Sequence, residues 1–465
     1  MSSVPSFQAE LLKRYDRPGP RYTSYPTALQ FNPAFDATQL RECAARSNAA
    51  PVPRPLSLYL HVPFCLGPCF YCGCNRIITR DSARGTKYVE RLLSEVELVS
   101  VLLAQEREVR QLHLGGGTPN FLSLAKLAWL LDGLSRHFVL SRSVERDFSI
   151  ELDPRSVPED LAAGLVRLGF NRVSIGVQDF DPNVQRAVNR IQSPAQTFDL
   201  IDSCRDHGIR SVNVDLIYGL PRQTLAGFRH TLRQIMSARP DRVAVYGYAH
   251  LPRQFKAQRR IAADELPNPE QRLALLRLAI DELCSGGYRY VGMDHFALPD
   301  DDLVRAQEAG GLQRNFMGYT THADCDLVGL GVSAISHVGD SFSQNFRELK
   351  AWEAAIDSGR LPLWRGIALT ADDRVRAKVI SQLMCQGHIE VDTIERDFGI
   401  DFATYFQEAL ARLEAHAADG LVSVGTSRIT ATPSGQLLLR SIAMCFDAYL
   451  KPERAPAEAP FSRVV

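Results

Sequence analysis

Cys65-Leu66-Gly67-Pro68-Cys69-Phe70-Tyr71-Cys72-Gly73-Cys74 places four of the chain's ten cysteines within ten residues. Intervals of three and then two residues let Cys65, Cys69 and Cys72 wrap a loop around one centre, whereas Cys74 follows Cys72 too closely to join them easily. Structural zinc sites usually draw two pairs of ligands from separate ribbons, and a closed four-cysteine cluster needs a fourth ligand that reaches the last metal corner. Three converging thiolates instead suit a 4Fe–4S cluster with one iron left open, and an open coordination position is a catalytic feature. The competing reading is a zinc site or a ferredoxin-type cluster, because spacing alone does not fix the metal.

Working outward, the loop follows an alternating stretch at residues 56–62. The pattern returns at 111–114, 148–152, 173–178, 212–217 and 243–248, with helical periodicity between. The first intervening helix sets Val89, Leu92, Leu93, Val96, Val99 and Leu103 on one face. Six βα rounds predict a parallel sheet with right-handed crossovers. One face of its strands is aliphatic, as at Leu58, Leu60, Leu112, Leu114, Val212 and Val214, and packs on helices. The other carries Tyr59, His61, His113, Ser149, Glu151, Ser174, Gln178, Asn213, Asp215, Tyr246 and Tyr248. Sheets buried on both sides read as continuous aliphatic runs. Each polar group buried without a partner would cost about 1–3 kcal/mol, so this face reads as a lumen lined for a polar ligand. The plain alternative is a satisfied hydrogen-bond network. The turns after the strands, among them Gly115-Gly116-Gly117-Thr118-Pro119, lie at the carboxyl ends, where parallel βα folds place their sites. Those glycines let the backbone approach a ligand closely, and they do not form the G-x-G-x-x-G of a dinucleotide fold.

The flanks differ in character. Residues 15–28 (YDRPGPRYTSYPTA) combine three prolines with Tyr15, Tyr22 and Tyr25, and Arg14, Arg17 and Arg21 add positive charge. This is an extended arm that either packs on the main domain or crosses the mouth of a site and binds an anionic ligand. Residues 288–293 look strand-like, and the glycine-rich residues 314–335 read as a loop-rich cavity wall. From 370 to about 450, short amphipathic helices and a hairpin at 421–432 suggest a winged-helix-like domain. A length of 465 residues suits two domains. The expected division is an arm and lead-in at 1–50, the barrel with its wall at 51–362, and a mainly helical domain at 363–465. The 53 basic and 53 acidic residues cancel, which gives no electrostatic case for nucleic acid or an anionic membrane. No run approaches the roughly eighteen apolar residues of a membrane span, and residues 1–13 lack a signal-peptide core. Cys43, Cys204, Cys284, Cys325, Cys385 and Cys445 are scattered singly, as expected of reduced core thiols in a cytoplasmic protein.

Taken together, the motifs resemble those of the oxygen-independent coproporphyrinogen III oxidases, radical S-adenosylmethionine (SAM) enzymes of haem biosynthesis. The resemblance runs along nearly the whole chain: RYTSYPTA at 21–28, YLHVPFC ending at Cys65, CFYCGCN from Cys69, GGGTP from Gly115, ELDPR from Glu151, VSIGVQDF from Val173, VDLIYGLP from Val214, YAHLP from Tyr248, GMDHF from Gly292 and GLGVSAIS from Gly329. It implies an α/β fold, a partial (β/α)6 radical SAM barrel with an amino-terminal arm and a mainly helical carboxy-terminal domain. It implies that Cys65, Cys69 and Cys72 hold one 4Fe–4S cluster. It implies two SAM molecules, the first contacted by Tyr59, Gly116, Glu151 and Ile335, the second by Tyr71, Gly117, Thr118, Gln178, Arg190, Asp215 and Ala249. The family also uses Phe at the position of Tyr71, so its hydroxyl is dispensable. The implied reaction is oxidative decarboxylation of two propionates of coproporphyrinogen III to vinyl groups, giving protoporphyrinogen IX. The implied partners are that substrate, a flavodoxin- or ferredoxin-like electron donor and an unidentified electron acceptor, acting on a monomer. Relatives that bind and deliver haem usually lack the fourth cysteine and the tyrosine-rich arm, both present here as Cys74 and residues 21–28. The other rival is a non-catalytic zinc-stabilised protein.

Overall fold

The alternating stretch before the cysteine loop forms strand β1, Leu56–Val62, in the computed structural model, which describes residues 5–450 and Arg463. The first four residues of the expected arm, and residues 451–462, 464 and 465 of the expected carboxy-terminal domain, lie outside the described residues. Strands β2 (Glu108–Gly116), β3 (Asp147–Leu152), β4 (Arg172–Gln178), β5 (Ser211–Tyr218) and β6 (Arg242–Gly247) follow side by side in sequence order, all parallel. The register sets Leu58 beside Leu112, Leu112 beside Phe148, Ile150 beside Val173 and Val214 beside Val243. The aliphatic positions thus form one continuous layer, with Leu58, Leu60, Leu112, Ile150, Val212 and Val214 fully buried. Each such side chain contributes about 1.5–3 kcal/mol by leaving water. The helix Ala83–Ser100 covers it with Val89, Leu92 and Val96, and Leu103 is buried just past the helix end. Another crossover helix, Pro194–Asp206, starts where Ser193 and Gln196 form a capping box, with Pro194 at a position that needs no amide donor.

Both edges of the six strands are extended. Strands β7 (Arg289–Gly292) and β8 (His295–Ala297) form an antiparallel pair whose second member adds to β6. At the other edge the wall expected to be loop-rich at 314–335 is more regular than its glycines predict. Gln313–Asn315 and Gly318–Thr320 make a hairpin, and β9 (Asp326–Leu330) is a further parallel strand beside β1, with Tyr59 opposite Gly329. All five residues of β9 are buried, so it lacks the alternation that marks a half-exposed strand. Strands β10 (Ile335–His337), β11 (Ser341–Asn345) and β12 (Leu363–Ala368) continue the sheet in antiparallel fashion. β12 falls inside the range expected for the carboxy-terminal domain, yet it pairs with β11; the helical part begins at Thr370, which caps the helix Ala371–Gln386.

The carboxy-terminal helices enclose a separate core around Leu383, Ile394, Leu413, Ile442 and Phe446, beside a small sheet of His388–Glu390, Arg428–Ala431 and Val422–Val424. The arm joins this core. Tyr22 and Tyr25 are 5% and 4% exposed; the Tyr22 hydroxyl donates to Asp447 and the Tyr25 hydroxyl accepts from the Ala448 amide. Arg14 and Tyr15 both engage Asp419. The first reading of the arm is therefore the one observed for these residues, and its tyrosines are not free to lie against a ligand. Among the described residues no helix is long and apolar enough to cross a membrane. All ten cysteines are unpaired; Cys43, Cys204, Cys385 and Cys445 are core residues as expected, whereas Cys284 and Cys325 are only half-buried.

Candidate functional site

The cysteine loop is pinched at its base. Phe64 and Cys65 pair in parallel with Ile77 and Ile78, and the Ile77 and Thr79 amides donate to Pro63 O and Cys65 O. The chain between is held as a closed excursion off the carboxyl end of β1. Cys65 and Cys69 are buried at its root, Cys72 is half-buried and Cys74 is exposed. Around the sulfurs the fold has gathered donors and positive charge. Thr118 Oγ1 donates to Cys65 Sγ at 3.3 Å, and Arg190 Nη1 and Arg155 Nη2 approach Cys69 Sγ at 3.6 and 3.7 Å. Arg76 donates to Cys69 O. The Cys74 amide donates to Cys72 Sγ at 3.4 Å. The hydrogen bond from Cys74, helped by Arg76, draws the Cys72 thiol down to about 6, while burial pushes Cys65 up to about 11.

Whether these residues fit a cluster or a single ion is a question of spread. Thiolates closing on one zinc at about 2.3 Å lie about 3.8 Å apart. Among the described residues, the only group of three candidate ligand atoms within 4.8 Å of one another is His322, Asp324 and Cys325, outside this loop. The loop's sulfurs do not form so compact a group, and its donors to sulfur are those that tune an iron–sulfur cluster. The donor set fits a polynuclear, anionic group.

From the loop, the lumen runs across the strands. The Tyr59 hydroxyl meets His61 Nδ1 at 3.1 Å, and the Tyr59 ring stacks on His113. His113 bridges Ser149 (2.7 Å) and Glu151 (3.3 Å), while the other Glu151 oxygen accepts from the Gly116 amide at 3.1 Å. Burial raises the Glu151 pKa, but His113 and the Gly116 amide outweigh it and hold the carboxyl below its ordinary value. Asp215 accepts from Ser174 and Asn213, yet burial and the charge of Glu151 push it up to about 6. The Glu151 side chain is 42% exposed although strands surround it, so the lumen is open.

The glycine run is required by contact. A Cβ on Gly116, at φ +115°, would meet the His61 ring at 2.5 Å, and one on Gly117 would meet Pro63 backbone at 2.7 Å. Gln178 sits at φ +72°, where β4 and β5 slip register, and a Cβ on Gly176 would crowd both Gln178 Nε2 and Arg190 Nη2. That bulge turns Gln178 and Arg190 toward each other, and strain of this kind persists where a site needs it. Ile335 lies against Gly329, itself opposite Tyr59. Tyr71 joins Val188, Ile217 and Tyr248 in a small apolar cluster, its carbonyl held by Gln258, and Ala249 follows Tyr248 half-buried at the end of β6. The structure thus gathers Tyr59, Gly116, Glu151 and Ile335 along β1–β3 and β9–β10, and Gly117, Thr118, Gln178 and Arg190 nearer the cysteines.

Three residues went unassigned. Asp153 holds both Arg155 and Arg190, and with Arg76 these guanidiniums surround Cys69. In the sequence only the turn Asp153-Pro154-Arg155, one residue past a strand end, signals any of them.

Residues 59–235 match the family model described as the radical SAM superfamily, and residues 369–438 that of the HemN C-terminal domain. An oxygen-independent coproporphyrinogen III oxidase of Pseudomonas aeruginosa is 50% identical over 444 residues, covering 96% of each chain. That of Escherichia coli is 46% identical over 98% of each. The solved structure titled coproporphyrinogen III oxidase (HemN) from Escherichia coli, a radical SAM enzyme, superposes with a TM-score of 0.91 at 45% identity over 96% of this chain and 100% of that one.

Proposed function

The chain belongs to the oxygen-independent coproporphyrinogen III oxidases of the radical SAM superfamily, and on that premise we propose how its residues divide the reaction. The activity is that of an oxidoreductase of haem biosynthesis, converting two propionates of coproporphyrinogen III to vinyl groups and giving protoporphyrinogen IX. Each side chain loses one hydrogen atom, one carbon dioxide and one further electron. A 4Fe–4S cluster and SAM belong to the family's chemistry; bound together they supply a 5'-deoxyadenosyl radical that takes hydrogen from the propionate.

Cys65, Cys69 and Cys72 are the cluster ligands in this reading. The observation that carries it is the ring of donors on their sulfurs, Thr118 on Cys65 and Arg155 and Arg190 on Cys69. Cys74, exposed at the rim and donating its amide to Cys72 Sγ, takes no iron. A first SAM lies along Tyr59, Gly116, Glu151 and Ile335, where ionised Glu151 takes the ammonium group. A second lies along Tyr71, Gly117, Thr118, Gln178, Arg190, Asp215 and Ala249, where the Arg190 guanidinium suits a carboxylate. These groups orient the reactants, and the arm and carboxy-terminal domain exclude water. Residues 1–50, 51–362 and 363–465 serve as arm, barrel and carboxy-terminal domain, the last lending β12 to the sheet. The unpaired thiols support a reducing, cytoplasmic setting. The reading carries a monomer that acts with a flavodoxin- or ferredoxin-like donor, for which the exposed side of the loop at Cys74 leaves an approach, and with an unidentified electron acceptor.

The test is anaerobic product analysis with coproporphyrinogen III, SAM and a reductant, run on Cys→Ser variants with iron counted. Replacing Cys65, Cys69 or Cys72 should abolish the cluster and protoporphyrinogen formation, while Cys74→Ser keeps the iron. A colourless, iron-free Cys74→Ser protein would overturn the assignment.

A further inference from the structure

Three guanidiniums converge on the β5–β6–β8 side of the lumen, each resting on a tyrosine: Arg21 on Tyr246 at 6.0 Å, Arg272 on Tyr218 at 5.8 Å and Arg314 on Tyr319 at 5.6 Å. The His295 ring sits edge-on to Tyr246 and Tyr319, at 5.9 and 5.2 Å, and links the Arg21 and Arg314 ledges, while Tyr218, under Arg272, lies close enough to Arg21 to act on its charge. The buried Nε atoms of Arg21, Arg272 and Arg314 and Nδ1 of His295 have no hydrogen-bond partner. Four such atoms in one place are unfavourable unless a ligand completes them. The space for the guanidiniums is built in, because a Cβ on Gly247 would lie 2.8 Å from the Tyr218 hydroxyl and 3.1 Å from Arg272 Nη2.

Charge points to the ligand's class. Among the described residues, the carboxylate ion-paired within this group is Asp294, 2.5 Å from Arg21. Arg314 otherwise donates to Arg21 O, and among the described residues Arg272 rests on the Tyr218 ring with no carboxylate within ion-pair distance. Arg440, behind them, is engaged with the backbone of Gly19 and Pro20. Three guanidiniums against Asp294 leave two positive charges facing the lumen, in a chain whose net charge is zero. Of the arm's three arginines only Arg21 belongs here, since Arg14 is bound to Asp419 and Arg17 is exposed.

Coproporphyrinogen III brings four carboxylates, of which the reaction destroys two. A guanidinium on a carboxylate that departs as neutral carbon dioxide would bind the ground state better than the transition state and slow the step. On a carboxylate that survives, the same contact holds before and after reaction and anchors the macrocycle for both decarboxylations. Resting on the coproporphyrinogen reading above, we propose that Arg21, Arg272 and Arg314, with His295, bind the two propionates that the reaction leaves intact.

The experiment titrates the full-length protein with coproporphyrin III, which has four propionates, and with protoporphyrin IX, which keeps only the surviving two. Porphyrin fluorescence is followed for the parent, Arg272→Gln, Arg314→Gln and the charge-preserving Arg314→Lys, and KM and kcat for coproporphyrinogen III are measured alongside. Each Gln variant should weaken both porphyrins by the same factor, roughly tenfold or more. KM should rise by that factor with kcat nearly constant, iron content and SAM affinity should not change, and Arg314→Lys should recover part of the loss. Parent-like affinity and KM in both Gln variants would overturn the proposal. So would a loss confined to coproporphyrin III, which would put the guanidiniums on the propionates that leave. A parent that neither binds a porphyrin nor forms protoporphyrinogen would sink the substrate reading itself, whereas normal parent turnover with unaffected variants would sink this inference alone.

Discussion

Glu151 and Asp215 are two carboxylates of one lumen whose pKa values are pushed in opposite directions, and the difference is a matter of neighbours. Glu151 has His113 and the Gly116 amide, so it stays ionised; Asp215 has neutral Ser174 and Asn213, and burial with the charge of Glu151 raises it to about 6. If Asp215 accepts hydrogen bonds from SAM, ionisation strengthens them and frees both oxygens to accept, so SAM should bind more tightly as pH rises through about 6. Asp215→Asn should lose that dependence and bind roughly tenfold more weakly at neutral pH, with iron content unchanged. Calorimetric SAM titrations across this range decide it, and a parent-like profile in the variant would end the assignment. Stability should move the other way. A carboxyl raised in the folded state holds a proton that the unfolded chain has lost, so stability falls as pH climbs from the ordinary carboxylate value to about 6. The open lumen moderates the effect, and Asp215→Asn should be more stable than the parent near pH 7 by roughly 1–2 kcal/mol in denaturant unfolding.

The elements show how a helix outside the barrel fixes a residue inside it. From the helix Ala83–Ser100, Glu95 accepts from the Gly331 amide (2.7 Å), Asn345 Nδ2 (2.5 Å) and Trp352 Nε1 (3.0 Å). Tyr88, two turns earlier, accepts from the Val332 amide and donates to His61 O. The turn from β9 to β10 is thereby tied down just before Ile335. Glu95→Ala would leave the buried Gly331 amide and Trp352 indole without an acceptor, Asn345 keeping Gly331 O, so it should destabilise the protein by about 2 kcal/mol or more and raise KM for SAM more than that for coproporphyrinogen III. Chemical denaturation and paired KM measurements check both; equal effects on the two substrates would show no link to Ile335. The six strands and most lumen residues were legible because alternation separates an aliphatic from a polar face, as in Leu58, Tyr59, Leu60 and His61. β9 was not, because Asp326–Leu330 is buried throughout and its glycine mimics a loop. Arg155 and Arg272 were illegible for another reason: an arginine's role here is set by what lies across the lumen, which local pattern does not carry. Which of the arm's two readings holds for Tyr22 and Tyr25 was illegible for the same reason, since their partners Asp447 and Ala448 lie more than four hundred residues away.

Across the whole molecule the arm links chemistry to architecture. It packs Tyr22 and Tyr25 into the carboxy-terminal core, ties Arg14 and Tyr15 to Asp419, and between them sends Arg21 into the lumen beside Asp294. Deleting residues 1–30 therefore does two things at once. It removes two buried aromatics, each worth about 3–5 kcal/mol as a truncation, and it removes one lumen cation. The deleted protein should keep its iron, because the cysteine loop is anchored on β1 and on Ile77 and Ile78. It should also lose turnover and melt its carboxy-terminal domain at lower temperature. Arg21→Gln separates the two effects: the tyrosines stay packed, so the melting of that domain should follow the parent, while KM for coproporphyrinogen III rises roughly tenfold and SAM affinity holds. Differential scanning calorimetry beside steady-state kinetics distinguishes the outcomes. If Arg21→Gln turns over like the parent while the deletion is inactive, the arm acts only as packing, and the positive charge that receives the substrate rests on Arg272 and Arg314 alone.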